Sequence, residues 1–152
     1  IVDGTLVPTR DHTIAERSKN YRYSTNHQVV IDAGTRLVVA IGRPVPGNRN
    51  DCRAWEDSGA KDAVGTTPTV IADGGYRGTG LVIPHRRERG QIELADWKED
   101  HNRSHRKVRA RVEHAFARMK TWKILRDCRL KGDGVHHAML GVARLHNLAL
   151  AG

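Results

Sequence analysis

Apolar residues fall in short β-rich runs over the first half of this chain and recur at helical spacing over much of the second. Ile1-Val-Asp-Gly-Thr-Leu-Val7 alternates and carries β-branched residues, which predicts a short strand ended by Pro8. Residues 27–32 and 36–42 are β-rich runs flanking Ala33-Gly34-Thr35, the pattern of a hairpin. Residues 44–50 then break the chain, and Asn50 or Asp51 is placed to cap a short helix running through Trp55 to Gly59. Thr69-Val-Ile-Ala-Asp73 predicts a strand buried on both faces, ending in an acid before Gly74 and Gly75. Leu81-Val-Ile83, before Pro84, predicts one more short strand.

No Gly or Pro occurs from Ala95 to Trp122, and Val108, Val112, Ala115, Phe116, Met119 and Trp122 recur at helical spacing. This predicts one long amphipathic helix. A last helix is expected over 134–149, with Val135, Met139, Val142, Leu145 and Leu148 on one side. Strands first, a short helix, two more strands and then helices describe an α/β layer protein. The 152 residues are enough for one domain and its core.

Charge adds a partner to that picture. Lys and Arg number 26 against 17 Asp and Glu, a formal charge of +9. Residues 1–75 hold 9 of each sign and residues 76–152 hold 17 basic against 8 acidic, so the whole excess lies in the second half. The densest run, His101-Asn-Arg-Ser-His-Arg-Lys-Val-Arg-Ala-Arg111, has five Arg or Lys and no acid. A smaller run is His85-Arg-Arg-Glu-Arg89. A polyanion, nucleic acid first, is the expected partner, although a solvated helix face would also account for such a run. No apolar stretch approaches the roughly 18 residues of a membrane span, and no signal-peptide layout is present, so a cytoplasmic location and no membrane partner are expected. Cys52 and Cys128 are far apart and form no metal-ligand pair, and both are expected as reduced, mostly buried thiols.

The informative acids are three. Asp3 lies inside a strand, where a charge is unfavourable unless paired or bound to metal. Asp73 closes the apolar strand, and Glu113 lies beside the apolar stripe of the long helix. On a helical wheel with Val112 at zero, Arg109, Lys120, Glu113 and Arg106 fall at about 60°, 80°, 100° and 120°. A surface salt-bridge ladder would explain that face alone.

With their flanks, the three acids form a pattern. Val2-Asp3-Gly4-Thr5, Ile71-Ala-Asp-Gly-Gly-Tyr-Arg-Gly78 and Arg109-Ala-Arg-Val-Glu-His-Ala-Phe-Ala-Arg-Met-Lys120 occur in that order, with 70 and 40 residues between successive acids. The chain resembles the catalytic core of a DDE transposase, within the insertion-sequence-5 and Harbinger-like group, over nearly all of its length. Residues 46–51, 124–127 and 145–148 add weaker matches.

The resemblance implies a ribonuclease-H-like mixed sheet flanked by helices, in a single domain over residues 1–152. It implies a metal-dependent endonuclease and strand-transferase in which Asp3, Asp73 and Glu113 bind two Mg²⁺ or Mn²⁺ ions. Arg109 and Lys120 match the family's Arg four residues before the Glu and Lys seven residues after it. Arg106 stands where a related signature has Tyr. DNA is the implied partner, contacted by Arg103, Arg106, Lys107, Arg109, Arg111, Lys120 and Lys123, with a homodimer or larger assembly on DNA and, in a bacterium, association with the nucleoid. The family's N-terminal DNA-binding segment is expected to be missing, because the chain opens two residues before Asp3. A catalytically silent DNA-binding remnant is the alternative.

Other chemistries fit less well. His101 and His105 have zinc-ligand spacing, but no Glu follows His101 and no third ligand is evident. The 74–78 glycines lack the spacing of a P-loop. Base stacking on Trp97 would want further aligned aromatics. Asp51 and Asp32 are additional acids that could support the site, but capping and turn roles suffice for them.

Overall fold

In the computed structural model, which describes residues 1–18, 22–66 and 68–152, the first strand forms as β1, Val2–Pro8. The hairpin forms as β3, Tyr23–Ile31, and β4, Val38–Ile41. β3 starts four residues before the apolar run does. Its added residues are polar, and their backbones are paired by β1 and by two-residue strands that propensity does not reveal, β2 (Glu16–Arg17) and β5 (Val45–Pro46).

All these pairings are antiparallel. β1 lies along one edge of β3, and β2, β5 and β4 follow one another along the other. β3 is thus the strand paired on both edges, and every residue after Tyr23 is buried. Beyond β1 the layer continues through single bridges. Val2 N donates to Ile71 O at 2.9 Å, and Ile71 pairs in parallel with Val82. The strands expected at 69–73 and 81–83 therefore reduce to one bridged residue each. The chain turns at once into a 3₁₀ turn, Gly74–Tyr76, where the Asp73 side chain caps the Gly75 amide.

Asn50 caps α1, Asp51–Asp57, as its side chain accepts from Arg53 N at 2.9 Å. The short α2, Ala60–Val64, follows. The long helix, α3, runs Asp96–Met119, with Asp96 and Glu99 in its first turn where the helix dipole favours acids. It stops short of Trp122, which stays half exposed, while Leu125 is buried. α4 spans Gly134–Ala151.

Two cores hold the layers together, one on each face of the sheet. Val7, Val29 and Ile31 pack with Val112, Ala115 and Met119 of α3 and with Val135, Met139 and Val142 of α4. Val2 and Val30 pack on the other face with Trp55, Ala60, Ala72 and Tyr76. The period of two along β1 therefore gives Asp3 to the α3 side, the face it shares with its partner Val29. Cys128 is buried, whereas Cys52 is only partly so.

Candidate active site

Three elements that share no sequence proximity deliver the three acids to one place. β1 carries Asp3, the turn after Ile71 carries Asp73, and α3 carries Glu113. All three meet the guanidinium of Arg109, one helical turn before Glu113. Arg109 Nη1 is 3.4 Å from Asp3 Oδ2 and 3.7 Å from Asp73 Oδ2, and Nη2 donates to Glu113 Oε1 at 2.8 Å. Asp3 and Asp73 are also held from behind, since Asp3 Oδ1 accepts from Gly4 N at 2.9 Å and Asp73 Oδ1 from Gly75 N at 2.7 Å.

Exposure is graded across the group. The Asp3 side chain is 17% exposed and that of Glu113 is 55% exposed, so the site has a buried floor and an open helix edge. Burial pushes the Asp3 carboxyl up to about 6. Arg109 opposes that shift, and the negative charges of Asp73 and Asp51 add to it. One cation serving this many acids leaves a concentrated negative field. Hard carboxylate oxygens in such a field suit Mg²⁺ or Mn²⁺ as a donor set. Among the described residues no three metal-ligating side chains stand together as a cation cage, because the carboxylates meet on Arg109 rather than on one another.

Asp51 is the additional acid for which a capping role sufficed in the sequence. It opens α1, with Asn50 as the cap, and its Oδ1 lies 3.3 Å from both Asn26 Nδ2 and Gln28 Nε2. Gln28 Oε1 in turn accepts from Tyr76 Oη at 2.6 Å. Burial pushes the Tyr76 hydroxyl far up, reinforced by Asp51, Asp3 and Asp73, so it stays a donor. Cys52 Sγ, one residue after Asp51, donates to Gly75 O at 2.8 Å and fastens the Asp73 turn to α1. The available signal was Asn26 and Gln28, two polar residues two apart, which β3 buries on one face.

The expected DNA-contacting cations separate into three groups. Arg109 belongs to the acid site. Arg111 Nη1 donates to Ala33 O, and Lys120 Nζ donates to Leu6 O at 3.1 Å, so both heads are turned to the sheet. Burial lowers the Lys120 ammonium. Arg103, paired with Asp100 at 2.7 Å, and Arg106, Lys107 and Lys123 are exposed. His105, one of the two histidines with zinc spacing, is buried with Nε2 3.3 Å from Val82 O. Among the described residues no helix is long and apolar enough to cross a membrane.

Residues 1–148 match the family model described as the transposase DDE domain. Over 152 residues, its full length, the chain is 85% identical to a protein of Streptomyces albus G named "Putative transposase for insertion sequence element IS112". It spans 59% of that relative's length. No solved structure gives a significant match.

Proposed function

Because this chain belongs to the transposase DDE domain family, we propose that it is the DNA-cleaving and strand-transferring core of an insertion-sequence transposase. The observation that carries this reading is the convergence of Asp3, Asp73 and Glu113 on Arg109 from three separate elements. The three carboxylates are the residues that would hold two Mg²⁺ or Mn²⁺ ions. Ions so held supply charge neutralisation at a phosphodiester, activation of an attacking water and stabilisation of the leaving 3′ oxygen.

The protein side of the chemistry is division of labour. Asp3 and Asp73, fixed by backbone amides, form the rigid part of the site. Glu113, on the open edge, is the carboxylate free to adjust. Arg109 holds the group together without substrate and offers a planar fork suited to a phosphate oxygen when substrate arrives. Arg103, Arg106, Lys107 and Lys123 extend positive charge over the exposed face for backbone contacts, with Arg111 and Lys120 supporting the sheet side.

What supports a ribonuclease-H-like sheet is the place of the acids in it. The first lies on β1, between the β3–β4 hairpin on one edge and the parallel-bridged Ile71 and Val82 segments on the other, and helices cover both faces. Assembly of two or more copies on DNA, and a cytoplasmic, nucleoid-associated setting, belong to the same reading.

Nicking of supercoiled plasmid by the purified chain in Mn²⁺, beside Asp73→Asn and Asp3→Asn, is the test. Relaxed circles from the wild type alone are expected. Equal nicking by all three proteins would refute the assignment. Absence of nicking by a folded wild type that still binds DNA would favour the catalytically silent DNA-binding alternative.

A further inference from the structure

A cavity of about 710 Å³ is walled by Arg77, residues 81–89 and His101. Its rim carries Arg77, Arg86, Arg87 and Arg89 against the single acid Glu88. Among the described residues none of these four arginines forms an ion pair. Arg87 alone has a hydrogen bond from its head, to Ile92 O at 2.9 Å. Several guanidinium groups thus crowd one concave surface that holds a single acid, Glu88, with which none of them is paired among the described residues.

The wall is fixed in place. Asn102 of α3 takes both backbone groups of His85, its Oδ1 accepting from His85 N at 2.8 Å and its Nδ2 donating to His85 O at 3.0 Å. His105 stands against Val82 O, and Gln91 Oε1 accepts from Glu88 N at 2.9 Å. Backbone pinned this way from α3 sets where the arginines stand along the wall. The cavity's volume is that of a site for one small ligand or a short piece of strand, within the range of about 300–1,000 Å³ for ligand pockets.

The cavity and the acid site are linked through the backbone that carries them. Val82 is bridged to Ile71, two residues before Asp73, and Arg77 follows Asp73 by four residues. On α3, His101 precedes Arg109 by eight residues, roughly 12 Å along the axis at 1.5 Å per residue. Backbone advances about 3.4 Å per nucleotide along one strand, so that offset corresponds to about three to four nucleotides.

We propose that this cavity seats the phosphate backbone of the DNA strand leaving the carboxylate site, about three to four nucleotides from the bond that is cut. The inference rests on the proposed function for the direction of the strand, and on charge and shape for the binding itself. Guanidinium forks with few competing acids bind phosphate through paired N–H donors. An acidic peptide has the same sign of charge, and the polyglutamate arm of the test below separates it from DNA.

The test compares two triple variants with equal loss of charge. Arg77→Ala/Arg86→Ala/Arg89→Ala empties the rim of exposed arginines that make no side-chain hydrogen bond among the described residues. Arg126→Ala/Lys131→Ala/Arg144→Ala removes three exposed cations elsewhere. Binding to a duplex of arbitrary sequence is followed by fluorescence anisotropy across a salt series. The rim variant should lower the slope of log affinity against log salt by about 2 to 3, and the control by less than about 1. Thermal unfolding checks that both remain folded, and single Arg86→Glu and Arg89→Glu variants repeat the slope measurement should the triple unfold.

Identical slopes in the two triples would overturn the proposal, since net charge alone would then explain binding. It would equally fall if polyglutamate bound the wild type as tightly as DNA and lost that binding in the rim variant. Where the wild type cuts end-labelled DNA, phosphate ethylation should block cutting most strongly about three to four positions from the cut, and a maximum elsewhere would remove the stated offset. Failure of the catalytic assignment is read separately, because Asp73→Asn that nicks like the wild type leaves the salt slopes untouched.

Discussion

Arg109 Nη1 lies 3.4 Å from Asp3 Oδ2, joining the middle of α3 to the second residue of β1 across 106 positions of sequence. Both side chains are mostly buried, so the contact is shielded from solvent more than a surface pair is. Arg109→Ala leaves Asp3 buried without its cation and is expected to cost about 1–3 kcal/mol at pH 7, read as a lower urea midpoint with an unchanged slope. Adding Asp3→Asn to that variant should recover part of the loss. A double-mutant cycle with no coupling would show that the guanidinium does not hold the site.

Gly4 is constrained by the opposite face of the same strand. Asp51 Oδ1 occupies the space a β-carbon at residue 4 would need, and Gln28 Nε2 would lie 2.8 Å from that carbon. These are short side chains already tied into a hydrogen-bonded group, so they have little freedom to retreat. Gly4→Ala is expected to destabilise the fold by about 1–3 kcal/mol through overpacking. In Gly4→Ala/Asp51→Ala the clash with Asp51 is gone, and the added cost of the alanine at residue 4 should shrink. Thermal unfolding of the four proteins measures it.

Divalent metal should act on stability as well as on catalysis. A ligand held only by the native state adds RT ln(1 + [L]/Kd), about 2.7 kcal/mol at one hundred times Kd. Mn²⁺ is therefore expected to raise the melting temperature of the wild type, with little or no shift in Asp3→Asn. An equal shift in both would place the ion elsewhere.

The acids were legible because the motifs around them are local, whereas their neighbours were not. Val2-Asp3-Gly4 reads as a strand with a misplaced charge, and Asp73 as a strand end, from a few residues each. Asp51 was visible as an acid that could support the site but for which a capping role sufficed, because its approach depends on Gly4 having no side chain and on Asn26 and Gln28 lying in register on β3. Such coincidences belong to the fold. β2 and β5 escaped for a related reason, since two residues carry no periodicity and their strand character comes wholly from β3. Lys120 shares the wheel sector of Glu113, yet its position at the helix end turns its ammonium to Leu6 O.

His27 ties stability to acid pH. It is fully buried opposite Thr5, with Nε2 2.9 Å from Thr25 Oγ1 and no partner on Nδ1 among the described residues. Burial lowers its pKa to about 3, and the nearby charges of His136 and Lys120 act in the same direction. An unfolded histidine titrates near 6.5, so below that pH the unfolded chain binds a proton that the folded one does not. Stability is then lost as pH falls, by about 1.4 kcal/mol per pH unit until the folded group also protonates near 3. His27→Gln should flatten the dependence by about one proton between pH 6 and 4, in urea titrations at stepped pH. Parallel curves for the two proteins would mean that His27 is charged in the fold.

The helices fix the sheet margins with amide side chains, and this gives a sharper test of placement than loss of packing would. Asn147 of α4 accepts from Val38 N and donates to Val38 O, both at 2.8 Å, acting as a one-residue partner for β4. Asn102 makes the same pair of bonds to His85 beside the cavity. An ionised aspartate at either position can accept but not donate, and it would face a carbonyl oxygen. Asn147→Asp should therefore cost about 1–3 kcal/mol at pH 8. At pH 3.5 the protonated acid regains an O–H donor and both bonds can form, so the penalty relative to the wild type should narrow. Asn102→Asp should follow the same course, and in addition weaken DNA binding at pH 8 by loosening the wall that carries Arg86 and Arg89. A penalty that stays constant from pH 8 to 3.5 would show that these amides are not the clasps that hold Val38 and His85.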